Sequence, residues 1–223
     1  MNSWVKRIFS RRGETPKTRP TLVRRFRPRV EALEERAVPA NLVVNTLSDA
    51  VAADGKLSLR EAIAAVNAQS ATGLDAGAAA QVSGTFGSGD TIRFDPTTFA
   101  TRQTITLTGG SFTVTNDVDI TAPAAGLILD AATNSRHFDI GTLDISTGNV
   151  STAPTVRLAG LTLVNGKNGS FCGSILVVGK LTVDGCTFTA NTGLNGGVDG
   201  TFAGATPHAW RSTFTPHPTA RGS

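Results

Sequence analysis

Two stretches of this chain carry one pattern at an offset of 25 residues: Val156-Arg157-Leu158-Ala159-Gly160-Leu161-Thr162-Leu163 and Leu181-Thr182-Val183-Asp184-Gly185-Cys186-Thr187-Phe188. In each copy two apolar positions alternate with polar or small ones, a glycine follows, and the alternation restarts out of phase. That is the signature of one short strand bending into the next. A unit this thin buries its apolar face only against a neighbour, so the repeat predicts successive coils of strand stacked on one another.

Short alternating runs fill the region from Asp90 to Gly200. Ile92 and Phe94, Ile105 and Leu107, Phe112 and Val114, Val118 and Ile120, and Leu127 and Leu129 are each two apart, as strand residues on one face must be. Phe138 and Ile140, Ile175 and Val177, and the pairs within the two repeats continue the series. Each pair is expected to point inward. Gly109-Gly110, Asn116-Asp117, Asn165-Gly166 and Gly196-Gly197 supply turns, since Gly and Asn tolerate positive φ. At 25 residues per coil the region holds about four to five coils. The expected fold class is all-β.

Composition agrees with short strands: 39% of residues are hydrophobic, 17% are charged, 24 are Gly and none is Tyr. The net charge of +4 is unevenly spread. Residues 1–40 hold eleven Lys or Arg against four Glu, whereas the remainder holds ten basic and thirteen acidic groups. A nucleic-acid binder carries its basic surface on a folded face, so no nucleic-acid partner is expected. No stretch approaches the roughly 18 apolar residues of a membrane-spanning helix. Cys172 and Cys186 have neither a disulfide-framework nor a metal-ligand spacing, and Cys186 is expected to act as a small inward hydrophobe.

Residues 1–40 cannot bury enough surface to fold alone and are expected to be a disordered basic leader. A secretory signal needs a continuous apolar core after its charges, and that core is missing. Arg25-Phe26-Arg27-Pro28-Arg29-Val30-Glu31-Ala32-Leu33-Glu34-Glu35-Arg36-Ala37-Val38-Pro39-Ala40 instead resembles the leader that opens many large exported proteins of planctomycete bacteria. The resemblance implies export, to the bacterial cell surface or beyond it.

Residues 41–89 read as an N-terminal cap: a strand at Asn41-Leu42-Val43-Val44, a polar turn, and a helix over 58–68. Ser58 and Glu61 have capping-box spacing, and Leu59, Ala62, Ile63 and Val66 form one apolar face. Such a helix can cover the open end of a strand stack. Ser58-Leu59-Arg60-Glu61-Ala62 resembles the Cys-Ser-Leu-Arg-Glu-Ala capping motif of right-handed parallel β-helix proteins, with Leu57 standing where that family has Cys. The cap accounts for Arg60 and Glu61, so neither is expected to be catalytic. Gly179 to Asn191, with Phe188-Thr189-Ala190-Asn191, is similar to the repeat of chlamydial polymorphic outer-membrane proteins. Together these resemblances imply a right-handed parallel β-helix, a solenoid with a short capping α-helix.

Residues 201–223 break the pattern. His208, Trp210 and His217 stand among Pro207, Arg211, Pro216 and Pro218, and an irregular tail, truncated or frame-disrupted, is expected there. With no Cys or carboxylate at ligand spacing, His208 and His217 are not expected to hold a metal.

The function expected is that of an exported surface or extracellular protein, adhesive, carbohydrate-contacting or structural, whose partner is extracellular polysaccharide or another cell-surface protein. No catalytic, cofactor-binding or metal-binding residue is assigned. An alternative is a polysaccharide lyase or hydrolase on the same scaffold, with Asp119, Asp139, Asp144 and Asp184 facing outward beside Arg157 and Lys180. It needs those carboxylates to converge, either about a glycosidic bond or about a calcium ion. A third reading is an inactive fragment of a larger surface protein.

Overall fold

A computed structural model of the chain describes residues 38–144, 147, 149–169 and 172–193. It also describes the backbone of Asp199–Thr201 and Ala209–Thr215. The leader through residue 37, and with it the expectation of disorder, lies outside the described residues.

In chain order the elements are β1 (Asn41–Val44), α1 (Leu59–Ala68), α2 (Ala76–Ala79), β2 (Val82–Ser83), β3 (Asp90–Phe94), β4 (Gln103–Thr106), β5 (Phe112–Val114) and β6 (Val118–Thr121). There follow β7 (Leu127–Asp130), β8 (Phe138–Ile140), β9 (Thr142–Asp144), β10 (Asn149–Thr152), β11 (Thr155–Ala159) and β12 (Leu161–Val164). The last are β13 (Lys167–Asn168), β14 (Ile175–Val177), β15 (Lys180–Thr189), β16 (Thr192–Gly193), β17 (Asp199–Thr201) and β18 (Ala209–Thr215). The fold is all-β with two short helices.

Three parallel ladders organise the strands. One runs β1-β3-β6-β11-β15, a second β4-β7-β12-β15, and a third β5-β8-β14-β17. The first two merge because β15 is one unbroken strand that bends at Gly185 and pairs with β11 before the bend and β12 after it. Gly185 (φ 61°) and its counterpart Gly160 (φ 68°) both occupy the left-handed region, where a residue with a Cβ is strained. The glycine of the repeat is therefore the corner.

Register makes the core. Ile92, Ile120, Leu158 and Val183 are aligned across the first ladder, Ile105, Leu129, Leu163 and Phe188 across the second, and Phe112, Phe138 and Ile175 across the third. Every member of the i, i+2 pairs expected to face inward is buried, none more than 7% exposed. Each such side chain contributes about 1.5–3 kcal/mol before chain entropy is subtracted. The Phe112 and Phe138 rings lie 5.4 Å apart, so the aromatic column stacks as the aliphatic ones do.

The step of the repeat is not uniform along the stack. Thr155 pairs with Lys180 at the spacing read from the repeat, but the step from Asp90 to its partner Val118 is slightly longer, and that from Val118 to Val156 is much longer. A hairpin causes the long step: β9 and β10 pair antiparallel between β8 and β11, and the Thr142 and Thr152 hydroxyls join its base at 2.8 Å. The chain makes a detour and then resumes its register.

Helix α1 starts where its sequence says it must. Ser58 is the N-cap, its Oγ accepts from Glu61 N at 3.1 Å, and Glu61 Oε2 accepts from Ser58 N at 2.9 Å, which completes the capping box. Leu59, Ala62, Ile63 and Val66 are all buried, and Leu57 is fully buried as well. The helix packs against β5, at the N-terminal edge of the third ladder.

One stretch read as irregular is ordered otherwise. β18 lies parallel beside β15, with Val183 opposite Trp210 and Phe188 opposite Phe214. Pro207 and Pro216 flank this strand instead of interrupting it. Its step exceeds that of the repeat, and does so more at Val183 than at Phe188, because β18 spans the bend opposite Gly185 and Cys186 with one residue fewer. Stepping forward by the repeat length therefore misses it.

Candidate functional site

Outward positions of the first ladder carry a row of alternating charge. β6 sets Asp119 opposite Thr91 on one side and opposite Arg157 on the other, and β15 brings Asp184 beside Arg157. Arg93 Nη1 donates to Asp119 Oδ1 at 3.0 Å, and Arg157 Nη1 donates to Asp119 Oδ2 at 3.0 Å. Arg157 Nη2 donates to Asp184 Oδ2 at 2.8 Å, and Thr121 Oγ1 donates to Asp119 Oδ1 at 2.7 Å. Burial works against the Asp119 carboxylate, yet the hydrogen bonds from Thr121, Arg93 and Arg157 hold it below the usual aspartate value. The bond to Asp184, with that to Asp119, keeps the Arg157 guanidinium more firmly protonated than usual. The row is a chain of matched pairs.

A second polar group sits at the corner between the second and third ladders. Asp139, outward on β8, pairs with Arg136 Nη1 at 3.2 Å and accepts a hydrogen bond from Ser111 Oγ. These three side chains line a cleft of about 370 Å³ with the β7–β8 turn (Thr133, Asn134) and Lys167 of β13. A groove of similar volume, about 380 Å³, lies elsewhere, at Thr115, Asn116 and Asp117.

Inside the same corner is a residue that sequence reading missed. His137 is fully buried; its Nε2 lies 3.0 Å from both Leu129 O and Val164 O, and its Nδ1 lies 3.0 Å from Ser174 Oγ. Two carbonyls at Nε2 require that nitrogen to carry the proton, so Nδ1 accepts from the Ser174 hydroxyl. Burial lowers the imidazole pKa to about 4 despite those carbonyls. His137 is thus a neutral staple joining three strands' ends. Asn191 does similar work: its Oδ1 accepts from Gly166 N at 2.7 Å and its Nδ2 donates to Leu163 O at 3.0 Å. This gives the Phe188-Thr189-Ala190-Asn191 pattern a physical reason.

The four carboxylates singled out from sequence do not gather at one place. Asp119 and Asp184 share the first ladder but are bridged by Arg157, Asp139 belongs to the third ladder, and Asp144 ends β9 of the hairpin. Lys180 is exposed at the start of β15, opposite Thr155. The four are divided among the first ladder, the third ladder and the hairpin, and the two that share a ladder, Asp119 and Asp184, are both bound to Arg157. Among the described residues, no three His, Cys, Asp or Glu side chains gather in a way that holds a metal ion. His208 and His217 lie outside the described residues.

Arg60 lies outside the cap that was expected to account for it. The cap accounts for Glu61, which also accepts from Ala52 N at 2.9 Å, but Arg60 takes no part in it. Arg60 instead pairs with the fully buried Asp49 carboxylate at 2.9 Å, donates to Gly110 O at 2.7 Å and lies over the Phe112 ring at 4.7 Å. It rivets the helix to the turn ahead of β5. Cys172 and Cys186 are both buried and neither forms a disulfide, and burial raises the Cys186 thiol pKa. No helix among the described residues is long and apolar enough to cross a membrane.

Comparison of the chain with protein-family models, with curated proteins and with solved structures finds no match.

Proposed function

We propose that the three ladders are the faces of a right-handed parallel β-helix, and that the chain is an exported surface or extracellular protein of adhesive, carbohydrate-contacting or structural role. Parallel strands of one sheet joined by crossovers turn right-handed almost without exception, which supports the hand. The observation that carries the functional reading is the outer row of Arg93, Asp119, Arg157 and Asp184. Charges that satisfy one another in line along a ladder make a flat, weakly polar display face. The likeness of residues 25–40 to an export leader supports the location.

The test is protease shaving of intact source cells, followed by immunoblotting for this chain. Loss of the chain from intact cells supports surface display. Full protection until lysis, with none in the medium, overturns it.

A further inference from the structure

The corner cleft at Arg136 has features that a general display role leaves unused. Its lining is mainly polar, including the hydroxyls of Ser111 and Thr133, the Asn134 amide and the charges of Arg136, Asp139 and Lys167. Small-molecule pockets are mostly apolar, so this wall matches a ligand that is itself mostly hydroxyl. Arg136 and Asp139 cancel one another, and the exposed Lys167 ammonium, which no described carboxylate pairs, gives the lining side chains one positive charge in excess.

Floor and rim are set before any ligand arrives. On the floor, Asp139 is held from both sides, by Arg136 and by Ser111, and the Arg136 side chain is only 11% exposed. On the rim, Ala132 (φ 50°) and Thr133 (φ 60°) both occupy the left-handed region, costly for a β-branched residue such as Thr133. Strain of this kind persists only where surrounding bonds over-determine it, and it concentrates at ligand-binding positions. Here Asp130 Oδ1 accepts from Ala132 N at 2.8 Å and from Asn165 Nδ2 at 2.9 Å, while Thr133 N donates to Asn165 O at 2.9 Å. The turn is locked with Thr133 exposed at the rim.

We infer that this cleft binds an acidic sugar, a hydroxyl-rich ring whose carboxylate lies against Lys167 while its hydroxyls meet Thr133 and Asn134. The inference rests on the carbohydrate-contacting part of the reading above. It assigns that contact a place and a charge.

The experiment is calorimetric titration of the full chain with trigalacturonate, with maltotriose as a neutral counterpart and sodium sulfate as a bare anion. Saturable binding of trigalacturonate is expected, with maltotriose and sulfate each weaker by about tenfold or more. Lys167→Glu reverses the excess charge of the lining and weakens trigalacturonate binding by about tenfold. Lys167→Met, which removes the charge without reversing it, weakens binding in the same direction. Asp117→Asn, in the separate groove, leaves it unchanged. No binding, equal affinity for maltotriose or for sulfate, or folded Lys167 variants that bind like the parent overturn the inference. A chain shaved from intact cells that binds no trigalacturonate leaves surface display standing and removes this site. A chain that binds it but stays inside the cell does the reverse.

Discussion

The side-chain amide of Asn67 stands where a strand residue opposite Val114 would stand. Its Nδ2 donates to Thr113 O at 2.7 Å and its Oδ1 accepts from Thr115 N at 2.8 Å. A residue on a parallel neighbour bonds in this way to the two positions flanking its partner. The edge of β5 is therefore completed by a helix, with Arg60 closing the backbone just upstream at Gly110 and Ser111.

Removing that amide exposes the edge. Asn67→Ala leaves the Thr115 N–H and the Thr113 carbonyl without their partner, and a loss of about 1–2 kcal/mol is expected. Urea denaturation reads it as a lower midpoint at constant slope. An unchanged midpoint means that water completes β5 as well as Asn67 does.

His137 makes stability depend on pH. Its pKa is about 4 in the folded chain against an ordinary 6.5, so below 6.5 the unfolded chain takes up the proton first. Its contribution is complete above pH 6.5 and is lost as the pH falls toward 4, by about 3 kcal/mol in all. His137→Gln should flatten the dependence of the urea midpoint between pH 7 and pH 4.5. If the parent and the variant share one slope there, the imidazole is not held neutral.

The outer row should matter little to stability and respond to salt. Arg157 and Asp184 are 39% and 47% exposed, so Arg157→Ala is expected to cost about 0.5–1 kcal/mol in dilute buffer, and less in 1 M salt. Arg157→Lys should recover only part of the loss, since one ammonium cannot span two carboxylates as a guanidinium fork does. Thermal melts at low and high salt check both. A loss independent of salt would mean that Arg157 acts through packing.

Two glycines separate strain from collision. At Gly185 a Cβ meets nothing within 4 Å, so Gly185→Ala carries only the left-handed backbone penalty, about 1–2 kcal/mol. At Gly179 a Cβ would run into the backbone of Ala153 and Pro154, so Gly179→Ala must push that segment aside. Gly179→Ala is expected to be the more damaging of the two by denaturant midpoint. The opposite order would place the tight contact at the corner of the repeat.

The inward pairs were legible because an aliphatic at every second residue has one physical reading in a strand, and Leu127 with Leu129 or Val156 with Leu158 offers no other period. The capping box was legible for the same reason, since Ser58 and Glu61 suffice to write it. The step between paired strands was legible only in part. Val156 to Leu181 and Leu163 to Phe188 keep the spacing of the repeat, but the hairpin at Thr142–Thr152 and the short bend in β18 change the count without changing which residues stack. His137 was invisible because polarity alone assigns an imidazole to the surface. What draws it inside is a pair of carbonyls, at Leu129 and Val164, that the chain supplies from two other strands. The role of Arg60 was not legible since its partners, Asp49 and Gly110, lie 11 and 50 residues away in the chain.

The β9–β10 hairpin separates circumference from alignment. Val118 meets Val156 across the detour as squarely as Thr155 meets Lys180 without one, so an individual rung can be lengthened outward while the column beneath it keeps its order. A peptide spliced into that excursion would be carried on the outside, and the scaffold would accept decoration there as freely as a mast accepts a flag.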